Sequence, residues 1–284
     1  MLKKEYYCLV AGLPDLFFNE NKSGFDSLVF KNELKQQLSK SDFELAKLLY
    51  LKYDNKNLLN LLFEKNEPFN SLGNYSRDFL EAQIANPLDI PDYMISFIRW
   101  YKKQEIHELN LITENKLHSL FYEYLVSTKN QFLSKWFSFK LNIKNILTAF
   151  NCEHFNYETE KHLIRVDQNN LVYWLLINKR LKPELFEEEL PFADQIFRAA
   201  ESKISPEEKE KNIDKILWDY LDEHTFFHYF TIEKIVSYII KLSIIERWMK
   251  LDEETGKALL NKLIEDIKLS YTFPEEFSTI KDPT

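Results

Sequence analysis

The chain has 284 residues, enough for one large domain or two to three small ones, and with 45 % hydrophobic and 15 % aromatic residues it can build a substantial core. It has only four glycines, and these are far apart, which argues against the glycine-rich loops that bind phosphates and dinucleotides. A formal net charge of −8 argues against nucleic acid as a general partner, because phosphate binding needs a basic surface.

The N-terminal part of the sequence has one ambiguous apolar segment followed by helical patterning. Residues 6–15 are short and apolar, so they fit a strand and a buried helical turn equally well. From Asp26 to residue 63 apolar residues recur with helical spacing, and Ser41 with Glu44 predicts a capping box within that stretch. A proline and a glycine predict a loop over 64–74.

Helix start signals are clear in the middle of the chain. A helix is predicted from Ser76 to about residue 85, and Pro91 suits the first turn of the next helix, where its missing N–H would have no partner anyway. Thr113 is the predicted N-cap of a further helix, and a long helix is predicted over 131–150.

The C-terminal part begins with a mixed pattern over 151–167 and then becomes strongly helical. Ser205, Pro206 and Glu208 supply an N-cap, a proline at the first helical position and a capping-box glutamate. An acidic tail from Phe273 is predicted to be loose. The other predicted segments are a short apolar run over 169–179 and helices over 193–202, 205–224, 231–251 and 253–268. With so little glycine, the pattern predicts an all-α fold.

An internal repeat relates residues 45–62 to 133–150 at an offset of 88 residues. It has two interpretations: chance similarity between leucine- and lysine-rich helices, or a pseudo-repeated array of helix bundles. In the second case the chain is one all-helical unit, 1–284, built of two to three similar bundles with loops near 64–74, 151–167 and 202–206. Six of the 18 positions are identical: Leu45/Leu133, Lys47/Lys135, Lys52/Lys140, Lys56/Lys144, Asn57/Asn145 and Leu59/Leu147.

The best candidate for a metal site is the pair His224 and His228, because histidines four residues apart on one helix face can both bind zinc. The alternative is a helix end packed by aromatic residues and bearing two polar side chains. Cys152 and His154 form a weaker cluster. Carboxylates fall in loops or first helical turns, where they complement the helix dipole, and no motif pairs a nucleophile with a base. We therefore predict no catalytic, cofactor-binding or metal-binding residues and a protein that is not an enzyme.

Cysteine usage and hydropathy indicate a cytoplasmic protein. Cys8 and Cys152 predict two half-buried thiols in a reducing compartment. The N-terminus lacks the apolar core of a signal peptide. The longest apolar stretch, 232–249, is interrupted by five charged residues and does not predict a membrane span. Aromatic residues beside lysines, near Trp100 and Trp136, fit base stacking or a protein core, and the negative net charge favours the core.

Two strings of the sequence resemble a bacterial family whose members are encoded among the components of V-type ATPases. The first is the opening segment, 6–15, which reads YYCLVAGLPD; the second is 241–248, KLSIIERW, followed by 251–256, LDEETG. The resemblance extends over the whole chain. That family in turn resembles the C-type component of V/A-type ATPases, which corresponds to the d-type component of the eukaryotic enzyme. We call it the stalk-cap protein of these ATPases.

The stalk-cap protein is all-helical, and its three similar helix bundles form a funnel. It caps the central stalk, rests on the membrane proteolipid ring and has no catalytic residues. Its repeat places an acidic or polar residue and then an asparagine near an apolar helix, and residues 54–59 and 142–147 are similar to that pattern. Glu246 and Arg247 resemble a degenerate third copy. Unlike the stalk-cap protein, this chain has no arginine at 60–62 or 148–150.

Three functions are therefore to be weighed. The resemblance implies a non-catalytic structural subunit of a V-type ATPase, which couples the central stalk to the proteolipid ring. Its partners would be the other ATPase subunits, and it would reach the cytoplasmic face of the membrane only through the complex. The first alternative is a helical adaptor that binds another soluble protein or peptide through an exposed apolar groove. The last is a helical metalloenzyme that uses His224 and His228.

Overall fold

A computed structural model of the protein describes residues 4–18, 26–104, 110–166 and 170–250. These residues form helices and turns and no strand, which confirms the predicted all-α fold. The predicted helix over 253–268 and the tail from Phe273 lie outside the described residues. The helices are α1 (Tyr7–Ala11), α2 (Ser27–Gln37), α3 (Lys40–Lys47), α4 (Leu51–Leu62), α5 (Arg77–Ala85), α6 (Asp92–Tyr101), α7 (Leu111–Val126), α8 (Gln131–Phe155), α9 (Thr159–His162), α10 (Leu171–Ile177), α11 (Ala193–Glu201), α12 (Pro206–Thr225) and α13 (Ile232–Lys250), with a 3-10 turn at Pro183–Leu185.

The apolar N-terminal segment is a short helix, α1, and not a strand. Tertiary contacts hold it in place. The backbone N–H of Tyr6 donates to the carbonyl of Phe230 at 2.7 Å, just before α13. The Tyr6 hydroxyl reaches Ser39 at the start of α3, which it contacts at 3.3 Å, and also bonds to Asp42. The segment therefore joins the last helix pair of the fold to the first.

Four predicted helix starts can be compared with the observed N-caps. Ser76 and Ser205 cap α5 and α12 as predicted, each accepting a bond from the amide three residues on. The predictions of Ser41 and Thr113 as N-caps were wrong. The cap of α3 is Ser39, whose hydroxyl accepts from the amide of Asp42, and Asn110 caps α7.

The long helix α8 runs five residues beyond its predicted end. It stops at Asn156, which takes up the left-handed conformation (φ 55°) that commonly ends helices. The last turn of α8 and the whole of α9 lie inside the stretch that the sequence suggested as a loop near 151–167. That loop prediction was therefore mostly wrong, whereas no helix occupies 64–74.

The longer helices form three consecutive pairs, each joined by a short connection. In each pair the first helix packs on the second. The pairs are α2 with α3, α7 with α8, and α12 with α13. In the first pair, α3 leads directly into α4. The second and third pairs are each preceded by a helix that packs on their first helix: α6 packs on α7, and α11 packs on α12. Finally, α13 packs on α2, so the third pair returns to the first. One continuous core of buried apolar side chains connects all of them.

Among the described residues, no helix has the combination of length and apolar composition that crossing a bilayer requires.

Candidate functional site

In the first helix pair, Asn57 on α4 binds the backbone of the following loop. Its side-chain amide donates to the carbonyl of Asn70 at 2.9 Å, and its side-chain oxygen accepts from the backbone N–H of the same residue at 2.8 Å. The side chain therefore satisfies both backbone groups of one loop residue, as a neighbouring β-strand would do. Asn57 is fully buried and Asn70 is partly buried, so these bonds are partly shielded from water and fix the loop on α4.

One turn earlier on α4, the buried Asp54 holds the next part of the same loop. Its carboxylate accepts from the backbone N–H of Asn74 at 2.7 Å and of Tyr75 at 3.2 Å. Burial raises the pKa of Asp54 to about 6, although these hydrogen bonds and the charge of Lys31 act in the opposite direction. Gly73 has to be small here, because a Cβ at this position would lie 2.5 Å from the Asp54 carboxylate.

In the second pair, Asn145 on α8 makes the same two bonds. Its amide donates to the carbonyl of Ile164 at 2.8 Å, and its oxygen accepts from the backbone N–H of Ile164 at 3.0 Å. The following helix also begins at the same distance in both cases. Helix α5 starts seven residues after Asn70, and α10 starts seven residues after Ile164. The offset of 88 residues in the sequence thus corresponds to a repeated structural device.

The third pair carries a related contact at Glu246 on α13. Its carboxylate accepts from the backbone N–H of Ser27, the first residue of α2, at 2.9 Å. A glutamate can only accept, so one bond replaces the two that the asparagines make. Helices α8 and α13 start at residues 131 and 232, an offset of 101, and the same offset relates Asn145 to Glu246.

Each of these three residues follows a lysine by five positions. The three pairs of a lysine and the residue five positions later are Lys52/Asn57, Lys140/Asn145 and Lys241/Glu246. We call Asn57, Asn145 and Glu246 the clamp residues, because each accepts a hydrogen bond from a backbone N–H outside its own helix. A lysine and a clamp residue therefore recur in three helix groups, α2–α4, α7–α8 and α12–α13, which we call the first, second and third units, and the clamp of the third unit contacts the first.

A cavity of about 860 Å³ lies where the three units meet. Its walls include Lys52 of the first unit, Lys140 and Lys144 of the second, and Ser243 and Arg247 of the third. A small extension of about 60 Å³ shares Lys52, Lys140 and Ser243 with it. Since all three units contribute, this central cavity is the natural candidate for a functional site.

The acidic side chains of the central cavity are already paired. Asp214 on α12 bonds to Arg247 and accepts from the indole N–H of Trp248 at 2.7 Å. The other guanidinium nitrogen of Arg247 lies 3.0 Å from Glu210. Burial raises the pKa of Asp214, and the adjacent Arg247 and Trp248 oppose that rise.

The predicted histidine pair does not lie on one helix face, because α12 ends at Thr225. His224 stacks on Tyr220, with ring centroids 3.8 Å apart, and its Nδ1 is 2.9 Å from the Tyr220 carbonyl. His228 lies in the connection to α13, with its Nδ1 3.9 Å from Glu233. Among the described residues no three histidine, cysteine, aspartate or glutamate side chains come together in a way that could hold a metal ion.

Two further predictions can be compared with the structure. The cysteines are not both half-buried, since Cys8 is exposed and Cys152 is buried. Trp136, which with its aromatic neighbours Phe137 and Phe139 fitted base stacking or a core, belongs to the core.

Sequence reasoning identified Asn57 and Asn145 as repeated residues but missed the central cavity. The lysine matches of the repeat were the available signal, since Lys52 and Lys140 occupy equivalent positions and both line the cavity. The formal net charge of −8 gave no indication that positive charge collects in the central cavity.

Comparison with known proteins identifies a family and no closer relative. No curated protein and no solved structure matches the chain. The model of one family, described as "Protein of unknown function (DUF2764)", matches residues 3–270. Because that match covers nearly all of the 284 residues, the chain belongs to the DUF2764 family.

Proposed function

We propose that the protein is a non-catalytic structural subunit of a V-type ATPase that couples the central stalk to the membrane proteolipid ring. On this proposal it is cytoplasmic and reaches the membrane only through the other ATPase subunits. The proposal starts from the resemblance of residues 6–15 and 241–248 to a family encoded among such subunits.

The observation that carries the proposal furthest is the three-fold recurrence of the clamp. A protein that transmits force between two partners needs stiff, mutually braced helices. Asn57 and Asn145 brace two units internally, and Glu246 braces the third unit against the first. This arrangement supports a relation to the stalk-cap protein, which is built of three similar helix bundles.

Affinity capture from the native host tests the proposal directly. The tagged chain is recovered from gently solubilised membranes, and its partners are identified by mass spectrometry, with the tag alone as control. We expect stalk and proteolipid subunits of a V-type ATPase to be enriched. Recovery of the chain without any ATPase subunit would overturn the proposal.

A functional assay separates coupling from simple attachment. Glu246→Ala removes the hydrogen bond from Ser27 that joins the first unit to the third, whereas Glu246→Gln keeps an acceptor for the Ser27 N–H. In membrane vesicles we expect Glu246→Ala to lower ATP-driven ion pumping more than ATP hydrolysis, and Glu246→Gln to stay near the natural protein. An equal loss of both activities would count against a coupling role.

A helical adaptor is the second candidate, and one surface favours it. The connection between α12 and α13 exposes Phe226, Phe227 and Tyr229, with 62 %, 82 % and 58 % of their surface accessible. Adjacent exposed aromatic side chains are typical of protein-binding surfaces. If the chain is an adaptor, capture should recover a soluble partner unrelated to ATPases. Replacing these three residues by serine should abolish that recovery, and continued recovery of the partner would overturn this surface as its binding site.

A further inference from the structure

Three lysines of the central cavity form no ion pair with any residue that the structure describes. Lys52 projects from α4, and Lys140 and Lys144 lie one turn apart on the same face of α8. Lys144 approaches only the imidazole of His118, with its Nζ 3.5 Å from Nδ1. Within the described part of the chain, no carboxylate forms an ion pair with any of the three.

The other charged groups that line the central cavity already have ion-pair or hydrogen-bond partners. Arg247 is bound by both Glu210 and Asp214, which leaves one negative charge, and the positive charge of Lys209 offsets it. The Lys209 ammonium donates to the carbonyl of Ala200 at 2.8 Å. What remains is an excess of positive charge from Lys52, Lys140 and Lys144, although the formal net charge of the chain is −8.

These lysines are held in an unfavourable environment. Lys52 and Lys140 are exposed to solvent, but they line a concave wall, where protein atoms replace part of the water around each ammonium group. Burial, together with the charge of Lys140, lowers the pKa of Lys52 to about 7. Burial and the charge of Lys140 also lower the pKa of Lys144. The Lys52 ammonium lies 4.8 Å from the centre of the Tyr53 ring, but like charges gathered without an ion pair still repel one another, which indicates that they serve another purpose.

We propose that Lys52, Lys140 and Lys144 form a binding site for a small polyanion that carries two or more phosphate groups. The volume of about 860 Å³ is in the range of small-molecule sites and suits such a ligand. The remaining walls include Leu147, Leu217 and Ile244, which contribute apolar surface. Apolar surroundings strengthen the attraction between ammonium groups and phosphate oxygens. Because Lys52 and Lys140 come from different units, a bound polyanion links the first unit to the second.

Binding is tested with the purified full-length chain by isothermal titration calorimetry. The two probes are tripolyphosphate, a free polyphosphate, and inositol trisphosphate, which has the phosphates of a lipid headgroup. Chloride at matched ionic strength is the control for screening. Tighter binding of inositol trisphosphate points to a headgroup as the source, and tighter binding of tripolyphosphate points to a free polyphosphate. Either result supports the site, and failure of both probes to bind overturns it.

Lysine variants locate the binding. Lys52→Met and Lys140→Met keep the aliphatic stem and remove the charge, and each should weaken binding about tenfold or more. Lys56→Met is the matched control. Lys56 is the sequence equivalent of Lys144, but it pairs with Glu67 at 2.9 Å and does not line the cavity. Equal weakening by Lys56→Met and Lys140→Met would mean that the effect is one of net charge and would overturn the site.

The thermal stability of the empty protein distinguishes a binding role from a structural one. If the lysines serve a ligand, Lys52→Met and Lys140→Met should unfold at a temperature equal to or higher than the natural protein in the absence of polyanion. They should also lose the upward shift that the polyanion gives to the natural protein. Marked destabilisation of both variants without ligand would show that the lysines are structural and would contradict the proposal.

Binding should weaken as the pH rises from 6 to 8.5. Lys52 has a pKa of about 7, and the groups that act on it are Lys140 of α8 with Glu246, Arg247 and Lys250 of α13. A bound phosphate favours the charged ammonium, so binding near pH 7.5 should take up a proton. The binding enthalpy should therefore depend on the ionisation enthalpy of the buffer. Lys52→Met should remove the part of this dependence that comes from Lys52 and leave the proton release of the phosphate groups, whose second pKa is about 6; an unchanged dependence would contradict the role given to Lys52.

Discussion

Asn57 and Asn145, 88 residues apart in the chain, each hold both backbone groups of one loop residue with a single side-chain amide. Their two loops differ in length, because Asn57 binds the residue 13 positions later and Asn145 binds the residue 19 positions later. The clamp is therefore retained while the connection varies. It defines the repeated unit better than any helix length does.

Removing either asparagine clamp should destabilise the protein, and the second clamp should cost more. Asn145→Ala leaves the N–H and carbonyl of Ile164 without partners, and Ile164 is only 2 % exposed. Asn70, the partner of Asn57, is only partly buried and can recover some bonds to water. We expect losses of about 3 kcal/mol for Asn145→Ala and about 2 kcal/mol for Asn57→Ala in the free energy of unfolding, measured with urea.

The matched control for these substitutions is Asn32→Ala, which changes an exposed asparagine on α2. It should alter the free energy of unfolding by less than about 0.5 kcal/mol. The two clamps are far apart in sequence and have separate partners, so the double variant Asn57→Ala/Asn145→Ala should show an additive loss. A loss no larger than that of Asn32→Ala at either position would contradict the clamp.

The contact that returns the third unit to the first should be detectable by hydrogen exchange. Glu246→Ala removes the acceptor of the Ser27 N–H, whereas Glu246→Gln preserves one. We expect faster exchange at Ser27 and a loss of about 1 kcal/mol in unfolding free energy for the alanine variant. The glutamine variant should exchange at nearly the natural rate, and equal acceleration in both variants would show that charge and not the hydrogen bond matters.

The sequence contained more of the fold than of the candidate site. Helical periodicity and N-cap residues located most helices, because those signals depend on neighbours within a few positions. The N-cap of α3 was missed because Ser39 and Ser41 are both suitable, and the distant Tyr6 hydroxyl contacts Ser39. The partner of Glu246 lies 219 residues away, and no local pattern connects it to Ser27.

The central cavity could not be predicted for a related reason. The charge of the cavity depends on which lysines line it, and the sequence repeat alone does not predict which lysines these are. Lys56 and Lys144 occupy equivalent positions, yet Lys56 pairs with Glu67 while Lys144 lines the cavity. The two side chains differ because the loop after α4 supplies Glu67, whereas α8 continues past the corresponding point.

Substituting Gly73 should destabilise the loop of the first unit. A Cβ at this position would lie 2.5 Å from the Asp54 carboxylate and 3.1 Å from the Asn57 amide, and both of these side chains are buried and held by hydrogen bonds. We expect Gly73→Ala to lower the free energy of unfolding by about 1–3 kcal/mol. Gly12→Ala is the control, since its nearest contact is a carbonyl at 3.3 Å, and it should cost less than about 1 kcal/mol. Equal effects of the two would contradict the tight packing at Gly73.

The carboxyl group of Asp54 should make stability depend on pH in an identifiable way. Its pKa in the folded protein is about 6, against an ordinary value of 3.8, and burial is the main cause. The folded state therefore binds the proton more strongly than the unfolded state does. The stabilising contribution is complete below pH 4 and is lost as the pH rises through 6, with a total of up to about 3 kcal/mol.

Asp54→Asn isolates this contribution, because it installs the residue type that the second unit carries at the equivalent position, Asn142. Both proteins are unfolded with urea between pH 4 and 7. As the pH rises, the free energy of unfolding of the natural protein should fall relative to that of the variant. The variant cannot ionise at this position, so it lacks the loss that the natural protein suffers as the pH rises through 6. A carboxyl NMR titration should place the Asp54 midpoint near 6. A midpoint below 4, together with a constant difference in stability, would mean that the hydrogen bonds from Asn74 and Tyr75 outweigh burial.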